Sequence, residues 1–331
     1  MPHPLTYRTR RSFLSASIAV AGLASGLGAG AAERWPSRPI TLTLTGTAGS
    51  GPDSVARDLA ARIGMSLGQP IVVENVPGAG GIVAMERARR AAPDGHHFVF
   101  AHIGTLVINP ALFKSLPYDT VRDFEPVSLV LTGPMILVVS ASLGIDTLEQ
   151  LLDFVKRKPG TLMYGSGGVG TPPHVFIEQI KAATSLAVDH VPFKGSPGLV
   201  QALTGGQIAL GMEGATALMP LIQSGKVRPL AVSGDVRMMI LPQVPTFAEL
   251  GVPDIGLSWL AVLAPKGSPP EAVTALNRAL TRVLALPDLR RSWAELGRIP
   301  VGGSAEVLAE RIRVELPRWR SIVERAGIRP E

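Results

Sequence analysis

Ile40-Thr41-Leu42-Thr43-Leu44, followed by Thr47-Ala48-Gly49-Ser50-Gly51-Pro52-Asp53, is the stretch on which the fold turns. The first five residues read as a strand. Pro52 to Leu67 then sets Val55, Leu59, Ile63 and Leu67 at helical spacing before Gly68 stops the run. A strand that empties through a glycine-rich loop into a helix is the start of an α/β layer. The same order recurs later. Leu162 to Tyr164 reads as strand, Gly165-Ser166-Gly167-Gly168-Val169-Gly170-Thr171 as loop, and Val175 to Ala183 as helix.

Outward from these two units the alternation continues. Ile71 to Val73 and Phe98 to Phe100 are strands around a helix over Gly81 to Ala91, which completes one βαβαβ run. Met135 to Val139, Val188 to Val191, Ile208 to Met212 and Leu230 to Val232 are further strands, with a helix over Leu148 to Val155. Leu257 to Leu263 is the last strand, and Pro270 to Leu284, Leu289 to Leu296 and Ala305 to Ala326 read as helices. Crossing strands near Pro126 to Pro134 and Asp254 to Trp259 join the two runs. The pattern predicts an α/β protein of two lobes, each a mostly parallel sheet flanked by helices, with a cleft between them.

Both glycine loops favour an anion. The first-turn N–H groups of a helix have no helical partner, and the helix dipole adds partial positive charge there. Without any Lys or Arg, two such loops facing one cleft hold a carboxylate between them; taken singly, each is an ordinary βα turn with Asp53 or Thr171 near a helix cap. Glu213 follows a strand and precedes a helix, the position where open α/β sheets place ligands, although a solvated loop acid fits the same place. Trp259 either packs at the lobe junction or walls the cleft.

Composition removes several alternatives. The chain has 331 residues, 46% hydrophobic and 18% charged, enough for two compact domains and too polar for a membrane bundle. Its formal charge of +6 falls to +3 without Arg8, Arg10 and Arg11, and with 5% aromatic residues it offers no nucleic-acid groove. With no cysteine, disulfides, thiolate zinc sites and cysteine nucleophiles are excluded together. His96, His97 and His102 cannot share a metal, because strand residues that far apart lie roughly 20 Å from one another. No metal site and no cofactor is expected.

Two enzymatic readings compete with binding. Gly165-x-Gly167-x-x-Gly170, with Asp189 nineteen residues beyond, fits a dinucleotide fingerprint and would make the chain an exported oxidoreductase. Against it, Pro172-Pro173 occupies the helix start where donors to a pyrophosphate are needed. A hydrolase would rest on Ser166 with His174, but no G-x-S-x-G elbow surrounds any serine.

The N-terminus reads as an export signal. Thr9-Arg10-Arg11-Ser12-Phe13-Leu14 is a twin-arginine pattern, followed by a charge-free stretch that ends in Ala29-Gly30-Ala31. The stretch is diluted by glycines where a membrane span needs about 20 strongly apolar residues, so cleavage after Ala31 or Ala32 and a periplasmic location are expected.

The chain resembles the Bug (TctC-type) extracytoplasmic solute-binding receptors of tripartite tricarboxylate transporters. The resemblance rests on Trp35-Pro36-Ser37-Arg38-Pro39-Ile40, Val73-Glu74-Asn75 with Pro77-Gly78-Ala79-Gly80-Gly81, Leu116-Pro117-Tyr118-Asp119, Val191-Pro192-Phe193-Lys194-Gly195 and Leu241-Pro242-Gln243-Val244-Pro245-Thr246. These blocks occur in order along the mature chain. The resemblance implies a Venus-flytrap periplasmic binding protein without catalysis, a monomer that takes a small organic acid or amino acid and delivers it to integral membrane transporter subunits. It implies a leader over 1–31, one lobe from 32–133 and 259–331, and a second from 134–258. Carried over by position, it points to Thr47, Ala48, Gly49, Ser50 and Asp53 in the first lobe and to Ser166, Gly167, Gly170, Thr171 and His174 in the second. Gly104 and Thr105 fall at a further pocket-side turn, and Glu213 stands where the family usually has Asp. Thr45-Gly46 replaces a Pro-Phe pair, Ser50 a glycine and Val76 a frequent Arg. An acid at 213 would repel a second ligand carboxylate, so the expected ligand has one carboxylate and an amine or neutral tail.

Overall fold

The computed structural model describes Met1, residues 35–252 and residues 255–330. The leader expectation and part of the Asp254 to Trp259 crossing lie outside the described residues. Along the chain the first lobe builds β1 (Ile40–Leu44), α1 (Gly51–Leu67), β2 (Ile71–Asn75), α2 (Ile82–Arg89), β3 (His97–His102), α3 (Asn109–Leu112) and β4 (Phe124–Gly133). The second sheet begins at once with β5 (Met135–Ser140), α4 (Leu148–Arg157), β6 (Met163–Ser166), α5 (Pro172–Thr184) and β7 (Asp189–Pro192). It continues through α6 (Gly195–Thr204), β8 (Leu210–Gly214), α7 (Ala215–Gln223) and β9 (Val227–Val232). The chain then re-enters the first sheet with β10 (Ser258–Pro265), followed by α8 (Pro270–Leu284), α9 (Pro287–Ala294), β11 (Ile299–Pro300) and α10 (Ala305–Arg325).

The two sheets have the orders β11-β4-β10-β3-β1-β2 and β7-β6-β8-β5-β9. Each has a parallel βαβ part, β2-β1-β3 in one and β7-β6-β8 in the other. Antiparallel pairings complete both. β10 runs against β3 and β4, and β5 runs against β8 and β9. The mixed character comes from the crossings: β4 and β10 lie side by side with Ser258 opposite Gly133, so the chain leaves and re-enters the first sheet at one place. Two adjacent crossings therefore join the second sheet to the first.

Apolar periodicity explains the packing. Val55, Leu59 and Ile63 of α1 are buried against Ile40, Leu42, Leu44, Leu276 and Leu280 in one cluster. A separate cluster under the second sheet joins Ile136, Val138, Leu199, Leu203 and Leu218. The largest cluster spans both lobes, and α10 supplies its far side. There Trp319 stacks on Phe176 of α5 with ring centroids 5.7 Å apart. The Glu315 carboxylate, nearly buried, accepts the indole N–H of Trp259 at 3.0 Å and of Trp319 at 3.2 Å, while Arg311 Nε donates at 2.8 Å. Trp259 is therefore a fully buried junction residue and lines no part of the cleft.

Candidate functional site

The first glycine loop is fastened from below. Ser50 caps α1: its Oγ accepts from Asp53 N–H at 3.3 Å and donates to Thr47 O at 2.7 Å. Asp53 is buried, with Oδ2 accepting from Gly49 N–H at 2.9 Å, Oδ1 from Asn75 Nδ2 at 2.9 Å, and Arg57 Nε 3.0 Å away. Burial pushes its pKa up, but the bonds from Asn75, Gly49 and Arg57 prevail and hold it below the usual carboxylate value. Asp53 thus shapes the loop and does not face the cleft.

The second loop is held by a buried polar cluster. Ser166 Oγ lies 2.7 Å from His190 Nε2 and accepts Gly168 N–H at 3.1 Å, while Thr171 Oγ1 donates to Gly168 O at 2.6 Å. Gly170 N–H donates to His174 Nδ1 at 3.3 Å, and the His174 ring lies 4.4 Å from that of His190. Burial, reinforced by His190, lowers the His174 pKa to about 4, so the neutral ring serves as an acceptor. Gly104 stands against the His102 ring and Gly170 O, and fully buried Thr105 donates from Oγ1 to His102 O at 3.0 Å. Both belong to the wall behind the loop.

Between the lobes lies a cleft of about 930 Å³, within the range of small-molecule sites. Of the thirteen residues expected at the site, Thr47, Ser50, Gly167, Thr171 and Glu213 line it. Ala48, Gly49, Asp53, Gly104, Thr105, Ser166, Gly170 and His174 lie beside or behind that lining. Sequence reasoning did not assign four further parts of the wall: the Pro77 to Ile82 loop, the turn Phe193 to Ser196, the turn Gly214 to Ala217, and Leu296 to Arg298. The turns into α6 and α7 repeat the strand, glycine, helix order and were legible by it. Arg298 has no local signal at all.

Helix starts dominate the site. α1, α5, α6 and α7 all begin on the cleft, two of them with no side-chain cap and no proline at the very first position, α6 and α7. Their first N–H groups favour an anion in the enclosed space. Pro172 and Pro173 remove two donors from α5. Thr47 Oγ1 is buried without a partner, pressed against Gly195 of the opposite lobe. Glu213 is part-buried in the cleft wall; burial pushes its pKa up to about 7 although the Ser196 hydroxyl and the Gly214 N–H donate to it. His102 is neutral, its pKa lowered by burial to about 4.

The glycine fingerprint has a packing explanation. A Cβ on Gly165 would overlap Ile208 and Leu199, so this glycine meets the core, and of Gly165, Gly167 and Gly170 only Gly167 lines the cleft. The profile of the "Tripartite tricarboxylate transporter family receptor" matches residues 55–328. The chain belongs to that receptor family. It is 34% identical to Protein BugT of Bordetella pertussis over 312 residues, 94% of this chain and 95% of that one. Among solved structures, the receptor is similar to Rhodopseudomonas palustris Rpa4515 with adipate, at 33% identity and a TM-score of 0.86 over 90% of this chain and all of that one. It is also similar to MatC from the same organism with bound malate, at 31% identity and a TM-score of 0.83, covering 87% and 99%. These likenesses make it a two-lobe periplasmic solute-binding receptor and not an enzyme.

Proposed function

We propose that this receptor captures a small carboxylate-bearing solute between its lobes, with the acid group held at the starts of α1 and α6, and presents it to the membrane subunits of a tripartite transporter. The observation that carries this reading is that helix starts from both lobes open onto one 930 Å³ cleft. Thr47 Oγ1 and the Ser196 N–H at the start of α6 are donors for that acid. The adipate and malate named for two related structures are solutes of the same class. On this reading the lobes divide between 133 and 134, where β4 passes to β5, and between 258 and 259, one residue inside β10. The chain acts as a monomer, exported by its twin-arginine leader and cleaved after Ala31 or Ala32.

A thermal-shift screen of refolded, ligand-stripped protein tests this. Mono-, di- and tricarboxylates, acidic and neutral amino acids and dinucleotides form the panel. Ligand at ~100 times its Kd adds about 2.7 kcal/mol, a shift of several degrees. Stabilisation by one carboxylate class is the expected result; silence across all acids would refute the reading.

A further inference from the structure

A cleft that captures an anion carries an acid of its own. Among the described residues Glu213 is the only carboxylate side chain in the cleft lining. It is the penultimate residue of β8, where the Ser196 hydroxyl and the Gly214 N–H donate to it. Among the described residues no Lys, Arg or His pairs with it within 4.0 Å.

The elements around it supply few charges. Ile136 of β5 stands opposite Glu213 in the sheet, and α7 carries no charged residue. Lys194, the cap residue of α6, lines the cleft but is exposed and makes no ion pair within 4.0 Å. Buried Arg298 lines it too, donating to Ser54 Oγ at 2.6 Å and Thr216 Oγ1 at 2.9 Å, with no carboxylate within 4.0 Å among the described residues. His102 of β3 is neutral above about pH 4. Behind the loops, Asp53 is held ionised by Asn75, Gly49 and Arg57, His174 is neutral, and His190 is bonded to Ser166. Burial therefore has the largest influence on Glu213, and near pH 7 both its forms are populated.

The acid site lies next to it. Ser196 is the second residue of ten-residue α6, whose start has no side-chain cap. Its N–H is the donor assigned above to the ligand's acid, while its hydroxyl serves Glu213. One serine thus stands between the two carboxyl groups. Like charges so close do not both stay ionised without a cation between them, and the proton settles on the acid that burial has already weakened. Once protonated, Glu213 gains an O–H donor for the bound acid.

We propose that Glu213 takes up a proton as the ligand's acid group binds at the start of α6, so that the receptor captures an anion and a proton together and holds the ligand more tightly as pH falls. The inference rests on the carboxylate reading above. The proton comes from solvent, and release of the ligand returns it.

Calorimetric titration with adipate, malate, hexanoate and glutamate tests it. Runs in Tris and in HEPES, whose ionisation enthalpies differ, count the protons exchanged on binding. At pH 8, where unliganded Glu213 is roughly nine-tenths ionised, the tightest binder of the four takes up close to one proton. Its Kd rises about 25-fold from pH 6.5 to 8.5, a range in which all four acids stay ionised. Glu213→Gln, which mimics the protonated acid, takes up none, and its Kd stays within about twofold across that range. Uptake that persists in Glu213→Gln would place the proton on another group and overturn the proposal. So would wild-type binding without uptake, the result expected if Glu213 holds a ligand ammonium. Binding of none of the four acids would overturn the carboxylate reading as well, which separates the two failures.

Discussion

Gly80→Ala opens a closed cleft by steric force alone. Gly80 sits at φ +60°, and a Cβ there would lie closer than 3.0 Å to the carbonyl oxygen of Val169 in the opposite lobe. That oxygen is backbone and cannot rotate away, so relief requires the lobes to part by roughly 1 Å to restore ordinary contact. The left-handed backbone adds about 1 kcal/mol for any residue with a Cβ. Gly144→Ala provides the control: its φ is +64° and nothing lies within 4 Å of the added Cβ. Both variants lose about 1 kcal/mol, or roughly 2–4 °C in Tm. Only Gly80→Ala separates the walls that grip the ligand, and it weakens the best carboxylate of the panel at least 10-fold, about 1.4 kcal/mol. Calorimetry gives the affinities, and small-angle scattering of the liganded proteins gives the closure. Wild-type affinity in Gly80→Ala, with a liganded scattering profile that overlays the control, would refute the closure argument.

Three further outcomes are expected. Glu213 has a folded pKa of about 7 against an ordinary 4.5, so the stability it contributes is present at low pH and is lost as pH rises through 7; Glu213→Gln raises Tm above pH 7.5, leaves it unchanged near pH 4, and a rise at both would refute the assignment. His174, held near 4 by burial, binds its proton first in the unfolded chain, so stability falls as pH drops from 6.5 to 4, by up to roughly 3 kcal/mol. Urea titrations across that window show a shallower fall in His174→Asn, whose amide oxygen can still accept from Gly170 N–H; identical slopes would refute it. Glu315→Ala leaves the indole donors of Trp259 and Trp319 unpaired in the core and costs about 3 kcal/mol by urea unfolding, whereas Glu315→Gln, which keeps an acceptor, costs clearly less.

The helices and strands were largely legible because their apolar spacing is local. α1, α8 and α10 stand close to where periodicity puts them, and β1 matches residue for residue. The helix expected from Gly81 in fact begins at Ile82, because Gly81 closes a short turn over Ala79–Gly81 in which Gly80 and Gly81 both take left-handed backbone. The antiparallel pairing of β4 with β10 was not legible, since it joins residues more than 120 apart. Within the site, a loop's glycines announce that a close approach occurs but not what approaches. Gly165 meets core side chains, Gly195 meets Thr47 of the other lobe, and only folding distinguishes them.

The sequence by itself determined the α/β alternation, the two lobes, the family and the attraction of helix starts for an acid group, because each depends on neighbours in the chain or on ordered blocks of residues. The tertiary structure decided which loop residues line the cleft and which brace it from behind, as Asp53 and His174 do. It also brought Arg298 against Ser54 and Thr216, 244 and 82 positions away. No local pattern marks a guanidinium as buried without a counter-ion, since burial and pairing are properties of the packed chain alone.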